Sequence, residues 1–467
     1  MAHCTKKSVS CQVALELEEL ESAEGLPFQH LLIPERIAAA LERAGIKFRD
    51  RIYSPMVTLW AFLSQVIAKK DSSCQDAVSR VLADRVARRK TACSPDDTSY
   101  CAARARLPLQ VVEDLTCEVG RELHGAAEED WKWKGRNVII TDGSTATMAD
   151  TEENQAEFPQ SKNQKKGLGF PILRFVVFLS LSVGTALECA IGACRGKKTG
   201  EQSLFRQMWD MLKIGDIVLG DRLYDAFRDI ALLKDRKADV VFGKKQSRRC
   251  DFRSGNKLGP DDHVVVWKRP KYDASRFESK EEWESLPDKL EMREVRAIIR
   301  RKGYRNRPVI IVTTLLDAEL YSAKELTDLF AQRWHCELDL RSIKRALGMH
   351  HLRCKTPDMV RKELWTYLLA YNLIRVRMAQ AAAVHGVMPR KLSFTAAKNH
   401  IHNFAPHLRT ASEADRRRLE TELLRAIARC RVGNRPGRKE PRAVKKRDQK
   451  YSYLTKPRDQ ARKALTT

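Results

Sequence analysis

Asn137-Val-Ile-Ile-Thr-Asp142 and Asp216-Ile-Val-Leu-Gly-Asp221 are the two stretches whose reading decides the fold. Each is an apolar, β-branched run of strand length that closes on an aspartate. Working outward, two apolar strands are expected at about 171–182 and 186–194, and a helix opens at Thr199-Gly-Glu-Gln202, whose T-x-x-Q spacing reads as a capping box. A helix over about 225–235 and a strand at Asp239–Phe242 complete the series. The order β-β-β-α-β-α-β is that of an RNase H-like α/β core. In that order the first and fourth strands lie side by side, which would bring Asp142 to Asp221. Taken singly, each aspartate has an ordinary reading: Asp142 before a glycine as a turn residue, Asp221 as a cap for the helix that follows.

The stretch from Phe175 to Ala193 carries a single charge, Glu188, and approaches the length of a membrane span. Ser180, Ser182, Gly184 and Thr185 interrupt it, so a buried hairpin is the expectation. Residues 1–130 read as helical, with apolar stripes in Ile33–Ala44, Met56–Ala68 and Gln75–Val86, and are expected to form a DNA-binding region. Ser99–Arg106 and Leu109–Leu123, broken at Leu107-Pro108, form either a helix-turn-helix with Arg104 and Arg106 at its junction or a plain helical hairpin. The core is assigned to 136–243 and 318–384. It is interrupted by a β-rich insertion over 244–317 with strand-like runs His263–Trp267, Glu294–Ile299 and Pro308–Thr314. A helical C-terminal region (385–430) and a basic tail (431–467), expected to be mobile, follow.

Composition narrows the partner. The chain has 86 Lys+Arg against 60 Asp+Glu, a net charge of +26, and this excess favours a polyanion. The twelve cysteines form no C-x-x-C and the eleven histidines complete no zinc-finger spacing. They read as reduced thiols of a cytoplasmic protein, with no apolar leader after Met1 and no membrane partner expected.

A third carboxylate comes from a helix opened by the S-x-x-E box Ser322–Glu325 and expected to run to Leu347, with Gly348 as its stop. On it Phe330, Arg333, Glu337 and Lys344 fall at offsets 0, 3, 7 and 14, which an ideal helix turns to within roughly 60° of one another. The face shows a carboxylate between two cations. An intrahelical Arg333–Glu337 pair is the ordinary alternative. This pattern resembles the Y-x2-R-x3-E-x6-K signature of DDE transposases of the insertion-sequence-four type, with Phe330 in place of the tyrosine. Asp142-Gly143-Ser144 and Asp221-Arg222-Leu223-Tyr224 resemble the contexts of that family's two aspartates, and the likeness covers about 136–380.

The resemblance implies Asp142, Asp221 and Glu337 as catalytic residues and as ligands of two Mg²⁺ (or Mn²⁺) ions, with Asp142 bridging them. Arg333, Lys344, Phe330 and Trp267 become the candidates for DNA contact. The cations would hold phosphates. Phe330 lacks the tyrosine hydroxyl, which suits packing, and Trp267 or Trp283 in the insertion would stack a flipped base. The expected function is metal-dependent cleavage at transposon ends and strand transfer into target DNA, by a homodimer in the synaptic complex, in the bacterial cytoplasm near the nucleoid. A nuclease without strand transfer and a non-catalytic DNA-binding descendant of a transposase are the alternatives.

Overall fold

The computed structural model describes Val9, Phe28, Phe277 and residues 31–46, 51–68, 72–274, 279–299, 307–433 and 455–466. The N-terminal part contains helices α1 (Pro34–Arg43), α2 (Pro55–Ile67), α3 (Cys74–Ala87), α4 (Thr98–Arg106) and α5 (Leu109–Gly125). Ser54 and Ser73 cap α2 and α3 by accepting from the N–H groups of Val57 and Asp76.

The core follows as β1 (Val138–Met148), α6 (Glu152–Glu157), β2 (Ile172–Ser180), β3 (Ala186–Ala193), α7 (Glu201–Arg206), β4 (Ile217–Gly220), α8 (Phe227–Asp235) and β5 (Asp239–Gly243). The insertion adds β6 (Asn256–Gly259), β7 (Asp262–Lys268), α9 (Lys280–Ser285), β8 (Lys289–Ile299) and β9 (Arg307–Thr313). The chain then forms α10 (Ala323–Gln332), α11 (Trp334–Arg341), β10 (His351–Leu352), α12 (Pro357–Val384), α13 (Phe394–Thr410), α14 (Glu413–Arg429) and α15 (Arg458–Thr466).

One mixed sheet carries all of this, in the order β3-β2-β1-β4-β5-β9-β8-β7-β6, with β10 on β1. β4 runs parallel to β1 and β5, whereas β2 and β3 form an antiparallel hairpin beside β1. This is the RNase H-like α/β core with helical flanks. Side chains alternate along β1: Val138 and Ile140 pack with α5 and α12, and Ile139 packs with α7 and α8. The sheet therefore lies between two helical layers. The insertion is not a separate module, because β9 pairs with β5 (Val241 opposite Thr313) and carries the sheet onward.

β1 continues past Asp142, so this aspartate is the fifth of eleven strand residues rather than a strand end. The reason is β2, whose ladder with β1 runs from Ile139–Ser180 to Thr147–Ile172, while β4 stops at Gly220. The serine-interrupted stretch is the β2–β3 hairpin, and no helix among the described residues is long and apolar enough to cross a membrane.

The helix-turn-helix alternative is corrected. α5 buries Val112, Leu115, Val119 and Leu123, and Asn372 of α12 donates to Thr116 O (2.9 Å) on α5 and Ala186 O (2.8 Å) on β3. Arg104 stacks on Phe62 and Tyr100 and donates to Gln65, so it faces inward. α5 is thus clamped between α12 and β3 as part of a packed helical hairpin.

The end of the tail is also ordered: α15 docks through Arg458, which donates to Asp150 Oδ2 (2.5 Å) and Gly169 O (2.7 Å). Residues 434–454 lie outside the described residues.

Candidate active site

Where β4 ends, β1 runs on past it, still paired with β2 on its other side, and Asp142 lies at that step. Asp221 is the residue after β4 and caps a single 3-10 turn (Arg222–Tyr224), its Oδ1 accepting from Leu223 N at 2.7 Å. Its capping role and its nearness to Asp142 coexist, since one oxygen serves the turn. Burial first, with Asp221 and Glu201 adding to it, pushes the Asp142 carboxyl up to about 6 against the pull of Gly143 N–H and of Arg333.

The third carboxylate arrives on α11, which packs on β1. Cys336, fully buried, faces Asp142: burial first and that carboxylate next hold its thiol well above the usual range. Glu337, 39% exposed, ion-pairs with Arg333 at 3.7 Å. Lys344 donates from Nζ to Ser144 Oγ at 3.0 Å, two residues along β1 from Asp142. Asp221 and Arg333 thus lie near Asp142 at the step where β4 ends, Lys344 reaches the same strand, and Glu337 is linked to them through its ion pair with Arg333.

The helix that carries them is not continuous. It breaks at Arg333, whose N–H bonds back three residues to Phe330 O at 3.1 Å, and Ser342–Ala346 form a π turn, with Leu347 N bonded to Ser342 O at 3.1 Å. Lys344 therefore reaches Ser144 from the π turn, not from an ideal helical face. α11 is held from its other side. Asp339, fully buried, accepts from Arg375 and from Arg390 Nη1 (2.7 and 2.8 Å), and Arg390 also donates to Leu181 O (2.6 Å) beside the β2–β3 turn. Glu337 thus sits on an anchored element.

Three candidate residues are corrected. Trp267 is buried, donates its indole N–H to Glu294 Oε1 (3.0 Å) and is covered by the Arg248 guanidinium 3.5 Å from its ring centre, so no face is left for a base. Trp283 is likewise stacked under Arg269 and bonded to Pro270 O. Phe330 is buried rather than DNA-facing: its Cζ would lie 3.2 Å from a Cβ at Gly243, beside the Arg222 backbone. The sequence reading missed Glu201. Thr199 does not cap α7, whose N-cap is Gly200, and Glu201 instead stands against Gly143 with Tyr224 donating to its Oε1 at 2.9 Å. The glycine directly after Asp142 was the available signal.

A cluster of carboxylates with Arg333 as its neighbouring cation suits hard, oxygen-seeking divalent ions. The three triad carboxylates are not drawn together here. Among the described residues the ligand-type trios within 4.8 Å are Cys74–Asp97–Cys101 and Cys250–His263–Glu294. The second trio is a salt-bridged network, because Lys244 Nζ takes both Glu294 oxygens at 2.8 and 2.7 Å.

Comparison with known proteins places these features. The family described as "Transposase DDE domain" matches residues 133–373, the span of the sheet edge, the insertion and α10–α12. The chain is 26% identical over 441 residues to transposase InsG for insertion sequence element IS4 of Escherichia coli (strain K12), covering 91% of this chain and 93% of that one. The piggyBac transposase, solved as a synaptic complex with hairpin DNA, aligns with a TM-score of 0.43 at 9% identity, over 89% of this chain and 87% of that one.

Proposed function

Because the chain belongs to the family of transposases with a DDE domain, we propose that it cuts DNA at the ends of a mobile element and transfers the freed strands into target DNA, by a cut-and-paste route. The observation that supports this is the nearness of Asp221 and Arg333 to Asp142 where β4 ends, Arg333 being ion-paired to Glu337 on α11. Asp142, Asp221 and Glu337 would hold the Mg²⁺ or Mn²⁺ ions, two to a site, through their carboxylate oxygens. Bound there, the ions would supply an activated water or 3′-hydroxyl and stabilise the leaving oxygen. Arg333 and Lys344 would hold phosphates beside the carboxylates. The double-stranded ends would be brought together by a homodimer, in the bacterial cytoplasm near the nucleoid.

Asp142→Asn, Asp221→Asn and Glu337→Gln are each expected to abolish Mg²⁺-dependent cleavage of the inverted repeats that flank the coding sequence, while duplex binding changes by no more than a few-fold. Undiminished cleavage by the Asp221 variant would end this reading. Strand transfer of a pre-cleaved end separates a transposase from a nuclease of the same fold.

A further inference from the structure

α7 lies on the face of the sheet opposite α11, yet its first residue, Glu201, reaches the strand that carries Asp142. It does so through Gly143: a Cβ built there would lie 2.4 Å from Glu201 Cδ and 2.7 and 2.8 Å from its oxygens. The carboxylate fills the space a side chain at 143 would occupy, directly beside Asp142. Its orientation is imposed. Tyr224, fully buried against Phe205 with ring centres 4.7 Å apart, donates its hydroxyl to Oε1 at 2.9 Å. Oε2 has no hydrogen-bond or ion-pair partner among the described residues, and no lysine or arginine ion-pairs with Glu201 there.

We propose that Glu201 is a fourth carboxylate ligand of the divalent-cation site, positioned by Tyr224 and admitted by Gly143. The inference rests on the DDE reading above and adds a residue to it. A neutral acceptor would satisfy the Tyr224 hydroxyl equally well, so that hydrogen bond does not explain a charge. A carboxylate packed against the backbone of Gly143, next in the chain to Asp142, without a cation of its own is repelled by that neighbouring carboxylate. A bound divalent ion reverses the sign of that interaction.

The test is Mn²⁺ binding to the DNA-free protein, followed by the paramagnetic signal of free Mn²⁺, alongside thermal unfolding with and without Mg²⁺ and cleavage of end DNA. Glu201→Gln keeps an acceptor for Tyr224 and removes only the charge. It should leave the metal-free unfolding midpoint unchanged or raised, weaken Mn²⁺ binding by about tenfold or more, and shrink the Mg²⁺-induced midpoint shift. Gly143→Ala, which leaves Glu201 in the chain but evicts its carboxylate, should reproduce the weakened binding. Tyr224→Phe should weaken it less. Wild-type Mn²⁺ affinity and cleavage in Glu201→Gln would reduce Glu201 to a hydrogen-bond acceptor and overturn the proposal. If Asp142→Asn and Asp221→Asn also bind Mn²⁺ normally, the triad reading itself fails, and the fourth ligand with it.

Discussion

Arg333 and Lys344 are expected to matter to chemistry more than to folding. At 3.7 Å the Arg333–Glu337 pair is a long, partly exposed contact worth no more than about 0.5 kcal/mol. The Lys344–Ser144 bond is one charge-assisted contact on a half-exposed chain. Arg333→Ala and Lys344→Ala should therefore shift urea midpoints little while slowing cleavage by ten-fold or more, and a marked loss of stability would return both residues to a structural role. Asp142, Asp221 and Glu337 stand out in the sequence because each sits in a distinctive local context. Glu201 does not, because Thr199 and Gln202 flank it at the spacing of a cap, and only the space above Gly143 shows where its carboxylate goes. Trp267 was misread for a similar reason. A tryptophan in a strand looks the same in sequence whether its ring is bare or, as here, bonded to Glu294 and covered by Arg248.

Secondary structure was legible wherever period and punctuation agreed. Ser322 makes both bonds of its capping box with Glu325, Thr356 caps α12, and the β2–β3 hairpin turns at Gly184, whose φ of +85° suits a residue without a Cβ. The break at Arg333 and the π turn at Ser342–Ala346 were not legible, because apolar periodicity over two turns is nearly the same for a straight and a re-phased helix. What fixes α11 is tertiary: Asp339 buried between Arg375 and Arg390. Asp339→Ala would leave two buried guanidinium groups facing each other without their carboxylate. The expected cost is about 3–5 kcal/mol in chemical unfolding, with cleavage lost because the element carrying Glu337 is no longer anchored. A variant of wild-type stability would show that α11 is held by its apolar face alone. Gly120 makes the same point for α5: a Cβ there would lie 2.0 Å from Ala186 O, so Gly120→Ala should loosen the N-terminal helices from β3.

Across the whole molecule, the sheet unites what the sequence divided. The insertion was expected as an interruption of the core, and its strands instead lengthen the core's own sheet through the β5–β9 pairing, a long-range match that no local pattern encodes. Net charge is the property that was plain from composition, and its distribution yields the last prediction. Residues 434–467 carry twelve Lys/Arg against three acids, about a third of the +26 excess. One of those cations is already committed, since Arg458 is bonded to Asp150 and to Gly169 O. If the others meet phosphate, ending the chain after Gly433 should weaken binding to non-specific duplex. It should also flatten the log–log salt dependence by about 0.9 for every phosphate the shortened chain no longer neutralises. Arg458→Ala should undock α15 without flattening that slope, because its guanidinium serves the protein. Measured by titration at several salt concentrations, an unchanged slope after truncation would show that the tail's charge faces solvent and that the duplex is held by the folded body alone.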